Sequence, residues 1–171
     1  MEKLALREIL ARMIAHKAEQ RAPRDQPAAD AAILIVDDSR TVVRALQLIL
    51  ERAGYLTFSA ADGVQAISLA RRQRPDLILM DVVMPVMNGF EATRVLVNDP
   101  QTAAIPVIMM SGAEQVSDRV WGARLGAKGF LAKPFNNEEL LGKIRSVLAV
   151  ARRAQERDQI ATISTSDMFR R

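Results

Sequence analysis

Five polar positions in this 171-residue chain each follow an apolar run, and their side chains together suit one kind of chemistry. Asp37 and Asp38 follow Ile35-Val36, Asp81 follows Leu79-Met80, and Ser111 follows Met109-Met110. Lys133, with Pro134 after it, follows Phe130-Leu131-Ala132. If those runs are neighbouring strands, three carboxylates, a hydroxyl and an ammonium meet at one rim. Carboxylates packed together repel one another and raise each other's pKa unless a cation neutralises them. Mg2+ answers that need, because it keeps several waters and takes only one or two carboxylates plus a phosphate oxygen. One carboxylate is then free to act as a nucleophile toward phosphorus. A lysine point charge and a hydroxyl donor suit the remaining phosphoryl oxygens. Such a transfer depends mostly on positioning and charge stabilisation.

The elements that must hold these residues follow from the hydrophobic pattern. Short apolar runs at 33–36, 56–60, 77–81, 107–110 and 130–132 alternate with helical stretches near 40–53, 63–73, 89–98, 114–125 and 137–150. Gly54, Pro75, Pro100 and Gly126 punctuate the joins. Asp62 is placed to cap the second helix, and Asn136 with Glu139 has the spacing of a capping box before the fifth. Alternation of this kind predicts an α/β fold, a doubly wound parallel sheet with helices on both faces. The run Leu77-Ile78-Leu79-Met80 is apolar throughout, as a strand covered on both faces should be. Ligands in such sheets bind beyond the carboxyl ends of the strands, near a topological switch point. That is where the five polar residues fall.

Three segments are expected. Residues 1–31 read as an amphipathic helix over 1–22, with Leu6, Ile9, Leu10, Met13 and Ile14 on one face, and then a proline-containing linker. Residues 32–150 form the main domain. Residues 151–171 read as an extension of the fifth helix to about 160 and a polar tail. The N-terminal stripe must be covered by something: the chain's own domain, a second copy in a homodimer, or a docking partner. His16 on that helix has no ligand set near it and reads as a surface residue.

Composition narrows the partners. Net charge is +4, from 24 basic and 20 acidic residues. The excess is spread along the chain, with 6 against 5 in 1–31, 13 against 12 in 32–149 and 5 against 3 in 150–171. Aromatics are 4% of residues, too sparse for a base-stacking platform, so no nucleic-acid partner is expected. No apolar run reaches the roughly eighteen residues that a membrane span needs. The charged N-terminus does not resemble a secretory signal, and without cysteine there is no disulfide framework. A cytoplasmic location is expected.

Four blocks carry a family resemblance. They are Val36-Asp37-Asp38-Ser39, Met80-Asp81-Val82-Val83-Met84-Pro85-Val86-Met87-Asn88-Gly89, Met110-Ser111-Gly112-Ala113 and Gly126-Ala127-Lys128-Gly129-Phe130-Leu131-Ala132-Lys133-Pro134-Phe135. In this order they resemble the receiver domains of two-component response regulators, over about 32–150. The resemblance implies a flavodoxin-like five-stranded sheet in order 2-1-3-4-5 and a stand-alone switch that is not an enzyme in the turnover sense. Asp81 would accept a phosphoryl group from a histidine kinase. Asp38, Asp81 and the Val83 backbone carbonyl would hold Mg2+, with Asp37 acting through a water. Ser111 and Lys133 would hold phosphoryl oxygens, and the Lys133–Pro134 bond would be cis. Phe130 stands at the aromatic switch position. A downstream protein would read the face made by the fourth helix, fifth strand and fifth helix. Val83 and Ala113 flank the path of a hydrolytic water and cannot position it, which implies slow self-dephosphorylation. The run Asp118-Arg119-Val120-Trp121-Gly122-Ala123-Arg124 also resembles the stand-alone regulators of twitching motility, alongside the chemotaxis-like regulators.

Blander readings compete at each position. A single aspartate at a strand end is more often a turn residue, and Ser111 or Lys133 alone would be a solvated loop residue. Phe130 alone could be core, Trp121 could pack its ring on the sheet, and Met84, Met87, Met109 and Met110 suit adaptable packing. Among whole-protein rivals, a phosphorylation-independent adaptor would not need the intact set of five. A transcription factor would need a helix-turn-helix, for which the stretch after 150 is too short. A haloacid-type phosphatase would need an aspartate where Val83 stands.

Overall fold

Every residue of the Leu77-Ile78-Leu79-Met80 run is fully buried, which requires cover on both faces of the strand. The computed structural model, which describes residues 31–112 and 116–168, supplies that cover. Strands β1 (Ala32–Val36), β2 (Leu56–Ala60), β3 (Leu77–Asp81), β4 (Val107–Ser111) and β5 (Gly129–Ala132) form one sheet in the order β2-β1-β3-β4-β5. All four pairings are parallel. Between the strands and after β5 run α1 (Arg40–Arg52), α2 (Gly63–Gln73), α3 (Gly89–Asn98), α4 (Val116–Arg124) and α5 (Asn137–Met168). This is the flavodoxin-like order that the family resemblance implies. The N-terminal helix expected over 1–22, its linker to residue 30, and with them the pairing of two copies through that helix, lie outside the described residues.

The two-residue period of a strand divides the core into two layers. Ile33, Ile35, Leu77, Leu79, Ile108 and Met110 point to the face covered by α1 and α5, where Leu46, Leu50, Leu140 and Ile144 meet them. Leu34, Val36, Ile78, Met80, Val107 and Met109 point to the other face, against Ala66, Ala70, Ala92 and Leu96 of α2 and α3. Each such large side chain contributes about 1.5–3 kcal/mol when fully buried.

The starts of α1, α2, α3 and α5 are fixed by side-chain caps. Asp62 accepts from Gln65 N at 2.9 Å, and Asn136 with Glu139 forms the reciprocal box, both as expected. Ser39 caps α1, and Asn88 with Glu91 makes a further capping box on α3. At the C-terminus, α5 runs to Met168 and does not end near 160. No glycine or proline follows Gly142, so nothing in the backbone chemistry stops the helix earlier.

Gly89, the first residue of α3, is where that helix presses on β3. A Cβ there would sit 2.0 Å from the Asp81 carbonyl oxygen, a backbone atom that cannot turn aside. Alanine usually favours a helix over glycine by about 1 kcal/mol. Here the sign reverses. Gly89→Ala is expected to destabilise the protein by about 1–3 kcal/mol or more, read from urea unfolding midpoints. An unchanged midpoint would mean that α3 does not sit this close.

Candidate functional site

The sheet order places a switch point between β1 and β3, because the chain leaves β1 for β2 on one side and returns to β3 on the other. The crevice at their carboxyl ends holds the expected residues. Asp37 lies just past β1, Asp81 ends β3, Ser111 ends β4 and Lys133 lies just past β5. Parity sends Asp37 and Asp81 toward the α1 and α5 side of the sheet, like Ile35 and Leu79. Ser111 and Phe130 share the opposite side with Met109, which pairs with Phe130 in the β4–β5 register.

Lys133 joins the acids. Its Nζ lies 2.7 Å from Asp37 Oδ2 and 2.9 Å from Asp81 Oδ1. Carboxylate oxygens of Asp37, Asp38 and Asp81 lie within 4.8 Å of one another. Asp37 and Asp81 are buried, whereas Asp38 is exposed. The Lys133–Pro134 peptide is cis, as the resemblance implies.

One ammonium does not balance three carboxylates. Burial pushes the Asp81 carboxyl above its ordinary range. Lys133 pulls it back only in part, and Asp37 and Asp38 push it further up. Burial alone would lower the Lys133 pKa, but its hydrogen bonds to Asp37 and Asp81 outweigh this and raise it. The donor set of hard oxygens with surplus negative charge fits a divalent cation of the Mg2+ type. Asp37 already uses both oxygens, Oδ1 for the Ser39 N–H at 2.9 Å and Oδ2 for Lys133. It therefore suits an indirect part in holding a cation, whereas Asp38 and Asp81 can take a direct one.

The loop after β3 carries exposed apolar residues. Val83 is 76% exposed and Val86 is 86% exposed. Val86 also has φ +67°, in the left-handed region that β-branched residues rarely adopt. Ala113, the other residue expected beside the water path, lies outside the described residues.

Two polar contacts were missed from sequence. The Ser111 hydroxyl donates to Asp118 Oδ2 of α4 at 2.8 Å. The neighbouring Arg119 guanidinium sits 5.6 Å from the centroid of the half-buried Phe130 ring. An acid in the first turn of a helix is common for the helix dipole alone, so spacing gave no sign of the first contact. Trp121 corrects the reading that packed its ring on the sheet, because it is 57% exposed. Gly122 of α4 faces the sheet, where a Cβ would come 2.8 Å from Met109 Sδ. One position along a helix turns the side chain by about 100°, away from that contact.

This fold and rim belong to a known class of protein. Residues 33–145 match the family model described as the response regulator receiver domain, and the chain belongs to that family. Among curated relatives it is 49% identical to Protein PilH of Pseudomonas aeruginosa over 119 residues, which cover 70% of this chain and 98% of that one. The DNA-binding regulator RpaA of Synechocystis is 39% identical, but only 48% of its length is covered. Among solved structures, the Vibrio cholerae chemotaxis protein CheY4 matches with TM-score 0.66 at 38% identity, over 70% of this chain and 99% of that one. The receiver domain of the sensor histidine kinase PA1611 of Pseudomonas aeruginosa matches with TM-score 0.66 at 33% identity, over 71% and 99%. That structure has a magnesium ion coordinated in its active-site cleft. Among the described residues of the present chain, no helix is long and apolar enough to cross a membrane.

The charge imbalance makes a prediction with a definite sign. A carboxyl whose pKa is raised by folding keeps its proton in the folded state at a pH where the unfolded chain has lost it. Stability therefore falls as pH rises from the ordinary carboxylate range through the raised value. The Lys133 pairs contribute fully below the ordinary lysine range and lose their effect as pH rises through its raised value. In metal-free buffer Asp81→Asn should raise the melting temperature by a few degrees near neutral pH. The gap should close at about pH 3, where wild-type Asp81 is protonated. Equal melting temperatures at neutral pH would show that the ionised Asp81 is not a burden.

Proposed function

We propose that this chain is a phosphorylation-dependent signalling switch that accepts a phosphoryl group on Asp81 from a histidine kinase. The observation that carries this reading is the Lys133 ammonium bridging Asp37 and Asp81, with Asp38 beside them, in a chain of the receiver family. Lys133 engages Asp81 Oδ1, which leaves Oδ2 open to attack phosphorus. A P–O bond forms as the donor's P–N bond breaks, and the imidazole leaves. Mg2+ held by Asp38, Asp81 and the Val83 carbonyl, and by Asp37 through a water, would neutralise the carboxylates and the phosphoryl oxygens. Lys133 keeps one phosphoryl oxygen paired, and the Ser111 hydroxyl takes another.

The chain acts as a phosphoacceptor and not as a turnover catalyst. Val83 is apolar and largely exposed beside Asp81, so it cannot hold a water for in-line attack, which favours a long-lived phosphorylated state. The output face is that of α4, β5 and α5, where Trp121 and Val120 are exposed to a protein partner. A cytoplasmic location suits a kinase partner of this kind. Twitching motility is the pathway we favour over chemotaxis. The run 118–124 supports it, as does an identity of 49% to PilH against 38% to CheY4.

Intact-mass measurement with acetyl phosphate tests the reading. Wild type should gain one phosphoryl group in Mg2+, and should gain none with a chelator or as Asp81→Ala. If conditions that label other receivers leave wild type unmodified, the phosphorylation-independent adaptor becomes the better account.

A further inference from the structure

Ser111 has one hydroxyl hydrogen, and in this structure that hydrogen points to α4. A serine hydroxyl can accept more than one hydrogen bond but can donate only one. A carboxylate has nothing to donate, so at 2.8 Å from Asp118 Oδ2 the donor must be Ser111 Oγ. Phosphoryl oxygens are likewise acceptors. Ser111 cannot donate to Asp118 and to a phosphoryl group on Asp81 at the same time.

We propose that Asp118 competes with the phosphoryl group of Asp81 for the Ser111 hydroxyl hydrogen, and so ties the first turn of α4 to the unphosphorylated state. The proposal rests on the phosphoacceptor reading above. Asp118 is a positioning residue, because it acts through Ser111 and touches no reacting atom. Phosphorylation draws the hydrogen away and releases the side chain that holds α4 to the end of β4. Arg119 adds a second hold, since it lies over Phe130 on the neighbouring strand. Consecutive residues of α4 thus grip Ser111 and Phe130, which the strand parity points to the same side of the sheet.

The packing of α4 makes this grip matter. Among the residues of α4 whose side chains are described, only Gly122 is buried, whereas Val120 is 45% and Trp121 57% exposed. By contrast, α3 buries Gly89, Ala92, Thr93 and Leu96. A helix whose described side chains give so little apolar anchorage belongs toward the low-stability end of a fold, where each polar contact matters more.

Amide exchange of α4 and the rate of acetyl-phosphate labelling, on wild type and variants, test this together. In unphosphorylated protein Ser111→Ala and Asp118→Ala should each speed α4 exchange by about three- to tenfold, and the double variant no more than either alone. With Mg2+ and acetyl phosphate, Asp118→Ala should be labelled about three- to tenfold faster than wild type, and should lose that advantage in a Ser111→Ala background. Asp118→Asn separates this from a helix-dipole effect. Its amide oxygen still accepts from Ser111, so its labelling rate should stay near wild type, whereas loss of charge alone predicts the Asp118→Ala rate. Additive exchange effects, or equal labelling of wild type and Asp118→Ala, overturn the competition. Absence of label in every variant with exchange coupling intact overturns the phosphoacceptor reading and the competition with it, leaving only a structural hydrogen bond.

Discussion

Lys133 makes the contacts on which the geometry of the rim depends. It leaves the sheet beyond β5, yet its ammonium bonds Asp37 beyond β1 and Asp81 at the end of β3. The reach passes over the end of β4, which lies between β3 and β5 in the sheet. The carboxyl ends of non-adjacent strands are therefore tied by one charge. Asp37 is fixed from two directions, by Lys133 and by the Ser39 N–H that opens α1. The start of a helix, the acids and the far strand share one small network, and in such a network each member orients the others.

That network is deliberately short of positive charge, in the sense that its three acids meet one lysine. Burial and the neighbouring acids hold Asp81 above the usual carboxylate range despite the Lys133 contact. A site arranged for stability alone would pair its charges or replace one of them with an apolar group. The imbalance is tolerable because Asp38 is exposed and can be hydrated, while the buried Asp37 has both oxygens bonded. Perturbed groups of this kind, gathered in a crevice at a switch point, are the physical mark of a site built for another ligand.

The rim was readable from sequence for a simple reason. In a parallel sheet covered on both faces, the strand is apolar until it leaves the sheet, so the first polar residue after the run marks the strand end. Asp37, Asp81, Ser111 and Lys133 were all found in this way. Their closeness then depended on strand order, which periodicity does not contain and the family resemblance supplied. Other features turned on single atoms. Trp121 faces outward because Gly122, with no side chain, takes the position against Met109. The contact between Ser111 and Asp118 depends on how α4 is seated, and its first-turn acid looks like any other. The helix α5 is longer than its polar C-terminal sequence suggests, because that stretch holds no residue that breaks a helix.

The helices that follow β3 and β4 differ in how closely they are seated, and this gives the rim a mechanical asymmetry. On one side, α3 abuts the Asp81 carbonyl so closely that a single methyl group would not fit, and the Gly89 N–H bonds the Val82 carbonyl at 3.0 Å. On the other, Gly122 alone is buried among the described side chains of the helix that follows β4. A push that starts at Asp81 would meet an abutment at α3 and, among the described residues, looser packing at α4. Any displacement would then favour one direction before a partner binds, set by where the packing is tight and where it is loose.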